Sequence, residues 1–161
     1  MKLFSEYLAE AEEHKDGTYG ALLPTQTSRE KLHEWMEKQD IPNLVESKEY
    51  HCTVVYSTKP VPEVADILAP VPFSATVREW KVFGEDKMLV AALDCPQAQK
   101  LFDKTIDMGA KNDYPEYVPH ITVALKYEGD VPKEKPEFKI VFHKFKVSPM
   151  DADFSYSDTE D

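Results

Sequence analysis

The sequence predicts an α+β fold built on a mostly antiparallel sheet. Strand-like and helix-like segments follow one another as β-α-β, a hairpin, then α-β-β. Each half carries one helix and strands with hairpin-like links, a pattern that argues against a doubly wound parallel sheet. The 161 residues are 42% hydrophobic and 30% charged, the mixture of one globular domain or two small lobes sharing an interface.

Residues 2–14 place Leu3, Phe4, Tyr7, Leu8 and Ala11 at helical spacing, which predicts an amphipathic N-terminal helix that Gly17 interrupts. Thr18 to Leu23 is a short apolar strand ended by Pro24. Thr27-Ser28-Arg29-Glu30 reads as a capping box opening a helix. Its apolar stripe is Leu32, Trp35 and Met36, and Ile41-Pro42 closes it. Tyr50 to Ser57, rich in β-branched and aromatic residues, is the clearest strand of the first half. Pro60, Pro62, Pro70 and Pro72 bound a loop with one helical turn within 63–68.

Phe73 to Phe83 alternates as a strand, Gly84-Glu85-Asp86 turns, and Met88 to Asp94 returns, forming a hairpin. Pro96 suits the first turn of a helix that carries Leu101, Phe102, Ile106 and Met108 inward and ends at Gly109. A Tyr/Pro-rich loop, Asn112 to Pro119, leads into a strand from His120 to Lys126. After a turn at Lys133 to Pro136, Phe138 to Val147 forms the last strand. The expected organisation is a single domain over 1–161, with 1–16 a helical extension and 148–161 a solvated acidic tail.

The formal charge is −11 and the pI about 4.9. Binding to duplex DNA or long RNA rests on many Lys and Arg contacts to phosphate, so long nucleic acid is excluded as a partner. Anionic membrane surfaces are disfavoured on the same ground. A small nucleotide, held by a few local donors, is not. Cys52 and Cys95 form no Cys-x-x-Cys, so there is no zinc framework or redox pair; two reduced interior thiols are expected, with a disulfide between them left open by the sequence. The N-terminal segment lacks the apolar core of a signal peptide, and the longest clean apolar run, Met88 to Leu93, is far too short to span a bilayer. A cytoplasmic location follows as the expectation; the oligomeric state is left open.

Five histidines are present, and for His14, His33 and His143 a structural or solvent role is expected. His51 and His120 differ. Each opens a His-x-Thr in a strand: His51-Cys52-Thr53-Val54-Val55 and His120-Ile121-Thr122-Val123-Ala124. Alternation puts His51 with Thr53, and His120 with Thr122, on one face, while Cys52 and Ile121 point to the core. Two imidazoles and two hydroxyls in one cleft suit phosphoryl transfer without a metal. One imidazole takes a proton from the attacking hydroxyl or water, the other protonates the leaving alkoxide, and the threonines donate to the non-bridging oxygens. An ordinary imidazole, with a pKa of about 6.5, supplies both forms near neutrality. Zinc wants three or four ligands, and no carboxylate stands at ligand spacing; no metal and no cofactor are expected.

Paired His-x-Thr strands in this arrangement resemble the 2H phosphoesterase superfamily. Within it, the strings Tyr50 to Ser57 and Tyr114 to Thr122 are similar to the phage anti-CBASS phosphodiesterases. Gly17-Thr18-Tyr19, the helix to Asp40, the Ile41-Pro42-Asn43 turn and the Gly109-Ala110 helix end are similar too, so the resemblance covers about Gly17 to Val147. It implies a bilobed fold of two pseudo-symmetric, mostly antiparallel sheets with flanking helices around a central cleft. It implies metal-independent cleavage of cyclic oligonucleotide messengers that trigger bacterial abortive infection, in the host cytoplasm if the chain is phage-encoded. His51, Thr53, His120 and Thr122 would be the catalytic set, with no assignment of base and acid. Tyr19 matches a family tyrosine near a nucleobase. Trp80 and Tyr117 are further substrate-binding candidates from aromatic character and nearness to strand ends, and a base-reading acid would fall at Asp151 or Asp153. Two rivals stay open: a 2′,3′-cyclic phosphodiesterase of RNA ends or other small nucleotides, and a non-catalytic nucleotide sponge.

Overall fold

A computed structural model describes residues 17–112 and 116–150. The expected N-terminal helix, His14, part of the Tyr/Pro loop and residues 151–161, with Asp151 and Asp153, lie outside them. In chain order the elements are β1 (Thr18–Pro24), α1 (Gln26–Glu37), a 3-10 turn (Ser47–Glu49), β2 (Cys52–Ser57), a second 3-10 turn (Pro62–Asp66), β3 (Phe73–Phe83), β4 (Met88–Asp94), α2 (Pro96–Asp107), β5 (His120–Ala124) and β6 (Ile140–Pro149).

The strands form one six-stranded sheet in the order β2-β1-β6-β3-β4-β5, every neighbouring pair antiparallel. The pattern is pseudo-twofold. β1-α1-β2 and β4-α2-β5 each send a strand through a helix to an antiparallel neighbour at the sheet edge, and β6 and β3 meet at the centre. The two expected sheets are therefore joined into one. β3 makes the join: Phe73, Ser74 and Ala75 pair with β6, and Thr76 to Phe83 pair with β4.

Both helices lie against one face of the sheet. Leu32 and Met36 of α1 and Ala98 and Leu101 of α2 share a core with Leu22, Cys52, Ala91, Ile121 and Phe145. Register places these strand residues on the same side: Leu22 is opposite both Cys52 and Phe145, and Ala91 is opposite Ile121. Burying the leucine, methionine, isoleucine and phenylalanine side chains among these stabilises the fold by roughly 1.5–3 kcal/mol each. Gly20 of β1 lets the Phe145 ring approach, since a Cβ there would sit 3.2 Å from the ring.

Local chemistry shifts several boundaries. The cap of α1 is Thr25, whose hydroxyl accepts from the Ser28 N–H at 3.2 Å, so the helix begins two residues before the expected box. Glu30 pairs with the Gln26 side chain at 2.8 Å instead of reaching back to a cap. The inward stripe of α2 is Ala98, Leu101 and Thr105. Ile106, expected inward, is 39% exposed, and Phe102 turns toward the loop before β5. Gly109, with φ of +103°, ends that helix in a conformation few other residues adopt. β6 runs to Pro149, two residues into the expected tail. Cys52 and Cys95 are buried free thiols.

Candidate active site

The sheet face turned away from the helices carries both His-x-Thr units. In the first half, Ala21 is opposite Thr53 and Tyr19 is opposite Tyr56. In the second, Ala92 is opposite His120 and Val90 opposite Thr122. Cys52 and Ile121 face the core, fully buried, as alternation requires. His120 is the first residue of β5, whereas His51 sits one residue before β2, after the 3-10 turn that ends at Glu49.

The same local device fixes both rings. His51 Nδ1 bonds the Glu49 carbonyl at 2.7 Å, and His120 Nδ1 bonds the Val118 carbonyl at 2.8 Å. A carbonyl only accepts, so Nδ1 carries the hydrogen in each ring and Nε2 is the atom at which protonation changes. Burial pushes both imidazoles below the ordinary histidine value, against the raising effect of the carbonyl bonds. Charge on His120 opposes protonation of His51 further. His120 also meets Phe83 edge to face, with centroids 5.1 Å apart.

The edge strands β2 and β5 are tied to each other. Tyr117, just before β5, donates its hydroxyl to the Thr53 carbonyl at 2.8 Å and lies 3.8 Å from Cys52 Sγ. Its ring stacks on Phe102 with centroids 4.4 Å apart. One ring face and the hydroxyl of this sequence-predicted substrate contact are thus engaged inside the protein. Burial raises the Cys52 thiol to about 12, which leaves it no nucleophilic character at neutral pH. Tyr19, only 9% exposed, brings its hydroxyl to within 3.0 Å of Thr53 Oγ1 and meets Tyr56 edge to face.

A cavity of about 720 Å³ opens here, in the range of small-molecule sites. Its wall includes Tyr19, Thr53, Tyr117 and His120, and also Tyr56, Phe83 and Glu116. Trp80 is elsewhere. It is opposite Ala91, which is opposite Ile121, so its side chain leaves the helix-covered face. There it stacks on Trp35 with centroids 5.3 Å apart and donates Nε1–H to the Glu134 carbonyl at 2.8 Å. A separate groove of about 980 Å³ lies along that side. Among the described residues no group of three His, Cys, Asp or Glu side chains is placed to hold a metal ion.

Residues 16–157 match the family described as "Anti-CBASS protein Acb1". The chain belongs to that family. It is 29% identical over 112 residues to the Anti-CBASS protein Acb1 of Vibrio phage KVP40, covering 67% of this chain and 72% of the relative. It is 27% identical over 150 residues to that of Yersinia phage phiR1-RT, covering 89% and 95%. The structure is similar to E. coli LigT complexed with NADP+, with a TM-score of 0.62 at 17% identity, over 82% of this chain and 86% of that one. It is also similar to a structure described as a phosphoesterase, with a TM-score of 0.60 at 15% identity, again over 82% and 86%. The fold is that of the 2H phosphoesterases, and family and fold together make the chain a phosphodiesterase.

Nothing in the sequence marks Tyr56, Phe83 or Glu116 as cavity residues. Tyr56 reaches the cavity because Val54 is an extra residue in β2: Gly20 is opposite Val55 but Ala21 is opposite Thr53. That bulge puts Thr53 and Tyr56, three apart, on one face. No helix among the described residues is long and apolar enough to cross a membrane.

Proposed function

We propose that this Acb1-family chain is a metal-independent phosphodiesterase that opens cyclic oligonucleotide second messengers and so counteracts bacterial CBASS immunity from within the host cytoplasm. The observation that carries this reading is the repeated unit itself. Two imidazoles, each with Nδ1–H held by a carbonyl, share a sheet face with two threonines, and Thr53 and His120, one residue from each unit, line a cavity of nucleotide scale. His51 and His120 are the acid–base pair, with Thr53 and Thr122 donating to the phosphoryl oxygens.

In the first step a ribose 2′-hydroxyl attacks the adjacent 3′–5′ phosphodiester. The neutral imidazole takes the hydroxyl proton at Nε2, the bond to the 5′-oxygen breaks, and the protonated imidazole gives that oxygen its proton. The product is a linear chain ending in a 2′,3′-cyclic phosphate. Water then opens this ring with the two imidazoles in exchanged roles, restoring the starting protonation. The threonine hydroxyls hold the charge that develops on the non-bridging oxygens. Tyr19, Tyr56 and Phe83 offer aromatic surface for bases, whose stacking is worth about 1–3 kcal/mol per base.

The test is a panel of cyclic di- and trinucleotides and 2′,3′-cyclic mononucleotides, incubated with excess EDTA and resolved by mass. Linear products from the cyclic oligonucleotides are expected. Cleavage of 2′,3′-cyclic phosphates alone would make the chain a phosphodiesterase of RNA ends. Stoichiometric capture, with intact ligand released on heating, would make it a sponge. Activity abolished by EDTA and restored by one divalent ion would overturn the metal-free route.

A further inference from the structure

The two His-x-Thr units are alike in sequence but not in what surrounds the hydroxyls. We infer that Tyr19 is a positioning residue: its hydroxyl aims the Thr53 proton at a non-bridging phosphoryl oxygen, a device the Thr122 side lacks. The inference rests on the phosphodiesterase reading above.

The geometry comes from β1. Ala21 is opposite Thr53, so Tyr19, two residues earlier, projects from the same face beside it. Its Oη stands 3.0 Å from Thr53 Oγ1. A hydroxyl has one proton and two acceptor sites. Either hydroxyl can donate at this distance, and we assign the donation to Tyr19 because phenol, with a pKa of about 10, is the stronger donor. That leaves the Thr53 proton to point away from the pair. Without such a contact a threonine hydroxyl can turn back onto nearby backbone groups. An accepted bond also polarises the donor, strengthening the next bond in a chain by about 10–30%.

The pseudo-twofold allows a direct comparison. Val90 is opposite Thr122 as Ala21 is opposite Thr53, so the counterpart of Tyr19 is the residue two before Val90, which is Met88. A thioether has no proton to donate. Among the described residues no hydrogen bond to the Thr122 hydroxyl is formed. Met88 and Tyr19 both line the cavity, so the difference lies at the site itself. Thr53 is preorganised and Thr122 must be ordered by substrate. Electrostatic stabilisation of a transition state depends on preorganised donors, and Thr53 is therefore the principal one.

Tyr19→Phe removes the hydroxyl and keeps the ring. A drop in kcat of about tenfold with KM changed less than about twofold is expected, that is, part of the loss of one oxyanion donor. Combined with Thr53→Val, it should cost nothing further; combined with Thr122→Val, the losses should multiply. Thr53→Ser, which keeps a hydroxyl for Tyr19 to aim, should retain most activity. Equal losses in Thr53→Ser and Thr53→Val would place the orientation in the threonine methyl and overturn the inference. So would an unchanged kcat with raised KM in Tyr19→Phe, or multiplication in both double variants.

Binding of inorganic phosphate, followed by calorimetry in the same proteins, separates this from the functional reading. If wild type cleaves no nucleotide, yet Tyr19→Phe weakens phosphate binding only when Thr53 is present, the phosphodiesterase reading fails and the hydroxyl pair stands. If wild type cleaves and Tyr19→Phe changes neither turnover nor phosphate binding, the hydroxyl pair fails alone.

Discussion

The two halves of the sheet solve the placement of histidine identically and the placement of threonine differently. In both, the ring is held through Nδ1 by the carbonyl two residues earlier, an interaction wholly local to the strand entry. The threonines depend on neighbours from other strands. Thr53 meets Tyr19 through its side chain and Tyr117 through its carbonyl. Thr122 has Val90 across from it and Met88 beside that. A motif and its local geometry are thus repeated while the surroundings diverge. Proton transfer can be symmetric, as a two-step reaction with exchanged roles requires, while charge stabilisation is not.

Removing the imidazoles gives the largest effect. His51→Ala and His120→Ala should each lower kcat by about 10²–10⁴, and the double variant should fall little further, because the two act as a unit. Single-turnover assays on a cyclic dinucleotide check this; one variant with near wild-type turnover removes that histidine from the mechanism.

The threonines test the asymmetry. Thr53→Val and Thr122→Val should each reduce turnover within roughly 10–10³-fold, with Thr53 toward the upper end and Thr122 toward the lower. Equal losses would mean that substrate orders both hydroxyls alike.

Tyr117→Phe is a milder cut across the two edges. It deletes the bond to the Thr53 carbonyl and should cost about 0.5–1.5 kcal/mol in urea unfolding. Its turnover should fall less than that of either threonine variant, since ring stacking on Phe102 remains. A change in KM alone would show that Tyr117 acts on the substrate instead of spacing the units.

The smallest effect is one of pH. Burial lowers both imidazoles, and a bell-shaped kcat/KM profile peaks between the two macroscopic values of the pair. The optimum should lie on the acid side of about 6.5, the ordinary imidazole value. The same shifts bear on stability. An unfolded chain protonates these histidines first, so it binds more protons below about 6.5, and stability declines as pH falls from there through the lowered folded-state values. An optimum above 6.5, or stability that rises on acidification through that window, would contradict the burial described for the rings.

Much of this was legible in the sequence because it depends on local pattern. Strand content, the 73–94 hairpin, the helix opened by Pro96 and the two His-x-Thr units follow from alternation, turn residues and composition. The misplacements share a cause. Val77 and Trp80 are three apart yet face the same side, because Arg78 is a bulge: Val77 is opposite Leu93 and Glu79 opposite Ala92. Val54 does the same for Thr53 and Tyr56. Neither bulged residue is a glycine, and each inverts the alternation downstream, so Trp80 faces the helices and Tyr56 the cavity. The aromatic character of Tyr117 suggests a substrate contact; its partners, Phe102 and the Thr53 carbonyl, lie on other elements and leave no trace in its own neighbourhood. The same holds for the Thr25 cap, since Thr25 and Thr27 are equally good residue types and only the backbone at Thr25 takes the extended capping conformation.

The place of β6 has a consequence for how the molecule is made. Of the six described strands it is the last to leave the ribosome, and it lies between β1 and β3, the innermost strand of each half. Until residues 140–149 emerge, β1 has β2 on one side and nothing to pair with on the other, and β3 is likewise exposed along its first three residues. Neither half can complete its pairing before β6 has emerged, and the arrival of β6 closes both halves at once. Slow, non-local pairing of this kind is the regime in which bare strand edges find wrong partners. Slowing translation ahead of β6 should therefore lower the soluble yield, while slowing it ahead of β5 should matter less.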